Sequence, residues 1–299
     1  MFYASWKKYG EPWCTPAGFQ TELESRGHEI QFYNLYHADG QILPRHTIRS
    51  YSSASWNQFH HDYSKGYKPD AVLVMDYGPF DCFQMDRKYF PDIKFVLEAG
   101  DTPQSFQLHA AKATKFDAIM TPDKRAADAF TSMGVKGIWA THYGDERIFY
   151  PRPSIAPIWD CVSTCGGRKD TAQIQKALGE QFNNERYFFG NDHAVRLCSG
   201  KITFQQSQYG EITRRIFEGM ACGRMVITDR LDPSTGMNDL FIDGQDIVYF
   251  DSAEDAIDKI RYYAAHDAER EAIALRGHAK VVAEHTAAKR VDLFEESLK

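Results

Sequence analysis

The 299-residue sequence contains no long hydrophobic run. Its longest apolar stretches, such as residues 71–75 and 95–97, are far shorter than the roughly 20 residues that a membrane-spanning helix requires. At the N-terminus, Lys7 and Lys8 follow the apolar residues, whereas a secretory signal places its positive charges first. We therefore expect a cytoplasmic protein with no stable membrane insertion.

Several catalytic signatures are also missing. The sequence has no G-x-S-x-G turn, no H-E-x-x-H, no P-loop and no G-x-G-x-x-G fingerprint, which argues against serine hydrolases, zinc proteases, P-loop nucleotidases and dinucleotide-dependent oxidoreductases. The six cysteines include no C-x-x-C pair, which argues against a zinc ribbon and favours reduced, buried thiols. The 35 Lys and Arg against 41 Asp and Glu give a net charge of −6, which argues against binding nucleic acid chiefly through its phosphates.

Short apolar runs alternate with longer amphipathic stretches along the chain. This alternation is typical of βαβ units and predicts an α/β fold with parallel sheets, and the pattern occurs twice. A proline-rich segment at 150–157 separates the two halves, which predicts domains 1–151 and 152–299, the second with a helical tail that could pack back on the first. The predicted strands are 2–5, 29–35, 71–76, 94–98, 118–121, 137–141, 159–163, 187–190, 202–205, 225–228 and 246–250, and the predicted helices are 17–26, 48–64, 103–114, 124–133 and most of 253–298.

Residues 209–229 carry the most informative pattern: a glycine turn, a helix of three turns, a stop at Gly223 and a strand. The amides around 210–212 would open the helix and favour a phosphate. Glu211 and Glu218 are seven residues apart and would share one helix face. A carboxylate placed there could accept hydrogen bonds from both hydroxyls of a ribose, although Glu218 could equally form a helix ion pair with Arg214 or Arg215.

Residues 215–223 and 226–229 resemble the nucleotide-sugar-binding helix of GT-B glycosyltransferases, in particular the CgeB-like branch allied to retaining family 4. Residues 239–250 resemble the strand that follows in that branch. The resemblance implies a GT-B fold, in which two Rossmann-like domains face a central cleft, with the acceptor on the side of 1–151 and the nucleotide sugar on 152–299. The implied activity is transfer of a sugar from a nucleotide sugar, most simply a UDP-sugar, to an acceptor hydroxyl with retention of configuration.

The resemblance also assigns roles to particular residues. Glu218 matches the glutamate that holds the ribose diol, while Glu211 is one position out of register with the family's first glutamate, so that Thr213 or backbone amides could take its place. Arg168 and Lys169 follow the first strand of the second half, where the family places cations against the diphosphate, although solvated loop charges are the default. The full predicted donor-binding set is Arg168, Lys169, Tyr209, Gly210, Glu211, Thr213, Arg215 and Glu218.

On the acceptor side, Asp101 follows a predicted strand and is a candidate to contact a sugar, although an aspartate there is also an ordinary helix N-cap. His109 lies on the next predicted helix and is a second catalytic candidate, with packing as the common alternative. No two aspartates are two residues apart, so the metal-binding Asp-x-Asp motif of GT-A enzymes is absent. We therefore expect no metal and no cofactor, with side-chain cations and a helix N-terminus stabilising the departing diphosphate.

The acceptor stays open between a saccharide, another hydroxyl compound and hydroxymethylated pyrimidines in DNA, as in phage-type enzymes. Residues 44–69 interleave basic and aromatic side chains, which permits a DNA-binding or acceptor-binding face, although an amphipathic helix explains the same pattern. A sugar-nucleotide 2-epimerase and a non-catalytic sugar-nucleotide-binding protein are two further hypotheses.

Overall fold

The computed structural model describes residues 2–4, 15–32, 53–76, 87–165, 167–185 and 188–299. The chain divides into two compact units, one made of residues 1–141 with 290–299 and the other of residues 142–289. The proline-rich segment 150–157 lies within the second unit. The domain limits inferred from that segment stay a prediction.

The first unit is built on a parallel sheet. Its strands lie in the order β2-β1-β3-β4-β5-β6, and every neighbouring pair is parallel. The strands are β1 (Phe2–Ala4), β2 (Gln31–Phe32), β3 (Ala71–Asp76), β4 (Lys94–Ala99), β5 (Ala118–Thr121) and β6 (Lys136–Trp139), and the helices are α1 (Thr15–Ser25), α2 (Ser53–Ser64), α3 (Phe106–Ala110) and α4 (Lys124–Ser132).

Phe59 and Tyr63 of α2 and Tyr67 of the turn after it pack into the core of the first unit. Phe59 is fully buried and contacts Phe90 at 5.1 Å between ring centroids, and Tyr63 and Tyr67 pack against the same cluster. The basic Lys65 and Lys68 are exposed. In its described part, the stretch 44–69 therefore has the core-facing and solvent-facing sides of an amphipathic helix, while residues 44–52 lie outside the described residues.

The second unit contains a parallel sheet with strands in the order β11-β10-β9-β7-β8. The strands are β7 (Trp159–Ser163), β8 (Phe182–Asn183), β9 (Gly200–Gln205), β10 (Met225–Asp229) and β11 (Val248–Phe250). The helices are α5 (Thr171–Leu178), α6 (Gly190–Cys198), α7 (Arg214–Ala221), α8 (Met237–Leu240), α9 (Ala253–Ala265) and α10 (Asp267–Glu284), followed by α11 (Ala287–Ser297), of which only the first three residues belong to this unit. The two parallel sheets confirm the predicted α/β class.

The end of α11 belongs to the first unit, where acidic side chains of the helix meet basic residues after α1. Arg26 Nη1 lies 2.8 Å from Asp292 Oδ1 and 2.7 Å from Glu295 Oε2, and Glu295 Oε1 lies 2.8 Å from His28 Nε2. Arg290 donates to Thr141 Oγ1 at 2.7 Å. The last ten residues of the chain are thus tied to the first unit by ion pairs and hydrogen bonds.

Two sequence predictions are wrong in detail. The strand predicted at 187–190 is not formed, because Phe188 and Phe189 lie in a loop and Gly190 begins α6; the strand at this point is β8, which has only two residues. The helix predicted from residue 103 begins at Phe106, since the peptide N–H of Ser105 first closes a turn on the carbonyl of Asp101. Tyr187 lies outside the described residues.

Candidate functional site

The second sheet reverses direction between β7 and β9. From β7 the chain first moves outward to β8, then crosses back to place β9 on the other side of β7. At such a switch point the loops leave neighbouring strands in opposite directions and open a crevice at the carboxyl ends, where open α/β sheets bind ligands. Residues 164–170 and 206–213 flank this crevice, and they contain six of the eight predicted donor-binding residues.

Hydrogen bonds join the two loops across the switch point. Arg168 Nη1 donates to Gln208 Oε1. Gln206 Nε2 donates to Asp170 Oδ2 at 2.6 Å, and Gln206 Oε1 accepts from the backbone N–H of Asp170 at 3.1 Å. Lys169 is exposed beside these bonds. The structure thus brings the predicted cations next to the glycine turn, and Gln208 is a residue of the site that sequence reasoning missed.

The turn before α7 differs from the prediction. Glu211 accepts the backbone N–H groups of Gln208 and Tyr209, at 3.2 and 2.6 Å, and Gly210 has a left-handed φ of 71°. These bonds close a turn that a helix could not include, so α7 begins at Arg214, three residues later than expected. Glu211 therefore does not share a helix face with Glu218, and the amides of 210–212 do not form the helix start.

Thr213 is the residue at the N-terminal cap of α7. It has extended backbone angles of −99° and 150° and its side chain makes no capping hydrogen bond. Within the part of the chain that the structure describes, Thr213 Oγ1 and Arg168 Nε are buried atoms without a hydrogen-bond partner. Buried polar atoms of this kind cost free energy unless a ligand or water satisfies them. The N-terminus of α7 adds the positive end of its helix dipole beside these atoms.

Glu218 lies in the middle of α7 with 1% of its surface exposed. Its Oε1 accepts from Arg214 Nε at 2.7 Å, and its Oε2 lies 3.6 Å from His193 Nδ1. Burial alone would raise the pKa of Glu218, but the charges of Arg214, His193 and Arg215 outweigh it, so the pKa is lowered. The carboxylate is ionised and forms the ion pair with Arg214 that the spacing allowed; its contact with a ribose stays a prediction.

The two acceptor-side candidates lie in the first unit. Asp101 is half-buried in the loop after β4, and its carbonyl accepts the N–H of Ser105. His109 on α3 is fully buried, with none of its surface exposed. This burial is what the alternative of a packing role for His109 predicts. The catalytic roles of Asp101 and His109 stay predictions.

Among the described residues, no group of three or more His, Cys, Asp or Glu side chains is placed to hold a metal ion. No helix in the described ranges combines the length and apolarity that crossing a bilayer requires. The four cysteines in those ranges, Cys161, Cys165, Cys198 and Cys222, are buried and free of disulfides.

A known protein family matches the part of the chain that contains this site. Residues 163–296 match the family described as glycosyl transferase-like, which includes both loops of the switch point and α7. No curated protein matches the sequence. Residues 163–296 are therefore similar to glycosyl transferase-like domains.

Solved glycosyltransferase structures share the fold along nearly the whole chain. HepE from Anabaena, solved with UDP and glucose, aligns with a TM-score of 0.64 at 10% identity over 99% of this chain and 98% of its own. Sucrose-phosphate synthase from Thermosynechococcus elongatus gives 0.68 at 12% identity over 99% and 98%. A glycosyltransferase from Rickettsia africae gives 0.66 at 11% identity over 100% and 98%. The fold is GT-B, as predicted, while the CgeB-like branch stays a prediction.

Proposed function

We propose that this protein is a nucleotide-sugar-dependent glycosyltransferase that moves a sugar to an acceptor hydroxyl. The observation that carries the proposal is the switch point of the second sheet, where Arg168 bonds the loop that leads into α7 and where Arg168 Nε and Thr213 Oγ1 are buried without hydrogen-bond partners. This site lies inside the region that matches a glycosyltransferase family. A diphosphate is the ligand that this combination of cation, hydroxyl and helix N-terminus suits best.

In the proposed complex, Arg168 and Lys169 face the diphosphate with their charges. The hydroxyl of Thr213 and the first amides of α7 supply neutral donors, and Arg168 exchanges its bond with Gln208 for a phosphate oxygen. As the bond from the sugar to the diphosphate breaks, negative charge grows on the leaving group, and donors already in position stabilise it. Glu211 acts indirectly, because its carboxylate holds the amides of Gln208 and Tyr209 and so shapes the loop.

The proposal extends to the donor, the stereochemistry, the metal requirement and the acceptor. A UDP-sugar is the proposed donor, since HepE was solved with UDP-glucose. Retention of configuration follows from the resemblance to family 4, and independence from metals follows from the missing Asp-x-Asp motif. A saccharide hydroxyl is the proposed acceptor, with Asp101 as the candidate contact in the first unit. Glu218 reaches a ribose only if its carboxylate shares or gives up the bond from Arg214.

A thermal-shift screen with UDP, GDP, ADP and dTDP tests the donor site, because a ligand that binds the native state raises the melting temperature. We expect stabilisation by UDP above the other three. Release of nucleoside diphosphate from UDP-sugars, with and without saccharide acceptors, then tests transfer. Release that needs an acceptor supports the proposal, epimerised sugar without an acceptor indicates a 2-epimerase, and binding without turnover indicates a non-catalytic protein.

A further inference from the structure

Three polar side chains from different elements form a line beside the switch point. Thr164 follows β7, His193 lies in the first turn of α6, and Glu218 lies on α7. Thr164 Oγ1 is 3.0 Å from His193 Nε2, and His193 Nδ1 is 3.6 Å from Glu218 Oε2. The imidazole thus stands between a hydroxyl at the carboxyl edge of the sheet and a buried carboxylate.

The surroundings hold the imidazole in this position. His193 is 7% exposed, and the ring of Phe149 meets it edge-on at 5.5 Å between centroids. Arg214 fixes the other oxygen of Glu218 through a 2.7 Å hydrogen bond. The two ring nitrogens face different partners: a carboxylate on one side and a hydroxyl on the other.

This placement decides where the protons lie. The negative charge of Glu218, 3.6 Å from Nδ1, favours the tautomer that carries its hydrogen on Nδ1, and in that tautomer Nε2 has the lone pair. Burial lowers the pKa of His193, with Arg214 and Arg215 acting in the same direction and Glu218 against it, so the ring is neutral near pH 7. Thr164 must then donate its single hydroxyl proton to Nε2.

We propose that His193 is a positioning residue which turns the Thr164 hydroxyl so that Thr164 accepts a hydrogen bond from a hydroxyl group of the bound nucleotide sugar. A threonine whose proton is already used has only lone pairs to offer, and phosphate oxygens, which are acceptors, gain nothing from them. Thr164 therefore recognises the hydroxyl-bearing part of the donor rather than its diphosphate. The inference rests on the proposed function, because it assigns a contact within the same donor site.

Protonation of His193 reverses the arrangement. With both ring nitrogens carrying hydrogens, Nε2 donates to Thr164, and the threonine proton becomes free to bond a phosphate oxygen. The charged groups that face the ring come from α7, namely Glu218, Arg214 and Arg215, while Thr164 and Phe149 contribute no charge. The selectivity of the site between hydroxyls and phosphate should therefore change with pH only while His193 is present.

The experiment compares UDP-glucose, which has hydroxyls, with inorganic pyrophosphate, which has none, by calorimetric titration at pH 7. Thr164→Val keeps the shape and removes the hydroxyl, His193→Phe keeps an aromatic ring and removes both nitrogens, and Thr164→Ser should restore binding. We expect each of the first two to weaken UDP-glucose binding about 5- to 10-fold, the worth of one neutral hydrogen bond, and to leave pyrophosphate unchanged. Thr131→Val, which removes a hydroxyl on α4 that bonds only the helix backbone, is the matched control.

Two further results are expected. The double variant should bind UDP-glucose no worse than either single variant, since both remove the same contact. As the pH falls below 6.5 and through the lowered pKa of His193, the wild type should gain pyrophosphate affinity relative to His193→Phe. Three results would overturn this inference and leave the proposed function standing. Thr164→Val could bind UDP-glucose as tightly as the wild type, a variant could lose affinity for UDP-glucose and pyrophosphate equally, or the losses of the two single variants could add in the double variant. Failure of the wild type to bind UDP-glucose would overturn the proposed donor together with this inference.

Discussion

Replacement of Glu218 by glutamine tests whether the buried carboxylate stabilises the second unit as an ion-pair partner. Glu218→Gln keeps the shape of the side chain and removes its charge. The wild-type residue is 1% exposed and accepts a 2.7 Å bond from Arg214. In the variant, Arg214 faces a neutral amide in place of a carboxylate, and the charge-assisted part of the bond is lost.

The size of the effect follows from the burial of the two partners. Removing one member of a fully buried pair costs about 3–5 kcal/mol, whereas a hydrogen bond to a charged group contributes about 1.5–3 kcal/mol. The Arg214 side chain is 30% exposed and can turn to water. The lower range therefore applies, and we expect a loss of about 2 kcal/mol in the free energy of unfolding of the second unit at pH 7.

Urea unfolding at several pH values measures this loss, with Glu180→Gln, an exposed glutamate of the same unit, as the control. Because the pKa of Glu218 is below its ordinary value of 4.5 in the folded chain, its contribution is present above pH 4.5 and is lost as the pH falls through the folded pKa. The difference between wild type and variant should be constant from pH 7 to about pH 5 and shrink below pH 4.5. A variant as stable as the wild type at pH 7 would refute the ion-pair reading.

Three other outcomes are expected. Gly277→Ala should lower the melting temperature, because its Cβ would lie 2.4 Å from the carbonyl oxygen of Asp246, and such overpacking costs about 1–3 kcal/mol; unchanged thermal unfolding would contradict that close contact. Arg168→Ala should weaken pyrophosphate binding about 10-fold at low salt and less at high salt, and a salt-independent loss would show that the charge is not involved. EDTA should leave the release of nucleoside diphosphate unchanged, whereas a loss that Mg²⁺ restores would reveal a metal-dependent reaction.

The buried strands could be predicted from the sequence with their observed bounds. Residues 71–75 and 118–120 are continuous apolar runs, as in strands covered on both faces, and residues 159–163 form a shorter strand that includes Asp160 and Ser163. Strand β8 could not be found in this way, because a strand of two residues has no period to detect.

The start of α7 could not be predicted, because a local interaction competes with the helix. Glu211 has good helix propensity, yet its carboxylate bonds two backbone N–H groups before it, and the chain enters the helix only after Thr213. Propensity and spacing are insensitive to such a bond. Propensity and spacing placed Glu211 on the same helix face as Glu218, whereas in the structure Glu211 lies before the helix begins.

The candidate site itself was only partly accessible to sequence reasoning. The glycine turn was found from the pattern of residues 209–229 and Arg168 through a family resemblance, whereas Thr164 and His193 carry no local signal. The two are 29 residues apart on different elements, and only the crossover from β8 to β9 brings them into contact. A lone histidine on a helix is more often a packing residue, and its chemistry here depends on partners that the tertiary fold supplies.

Hydrogen–deuterium exchange with and without UDP-glucose tests the central claim most directly, because it locates bound ligand along the chain. If the second unit binds a nucleotide sugar at its switch point, slower exchange will appear in residues 164–170, 206–213 and the first turn of α7. Protection confined to other segments of the second unit, or no protection at saturating UDP-glucose, would contradict the donor site assigned to this protein.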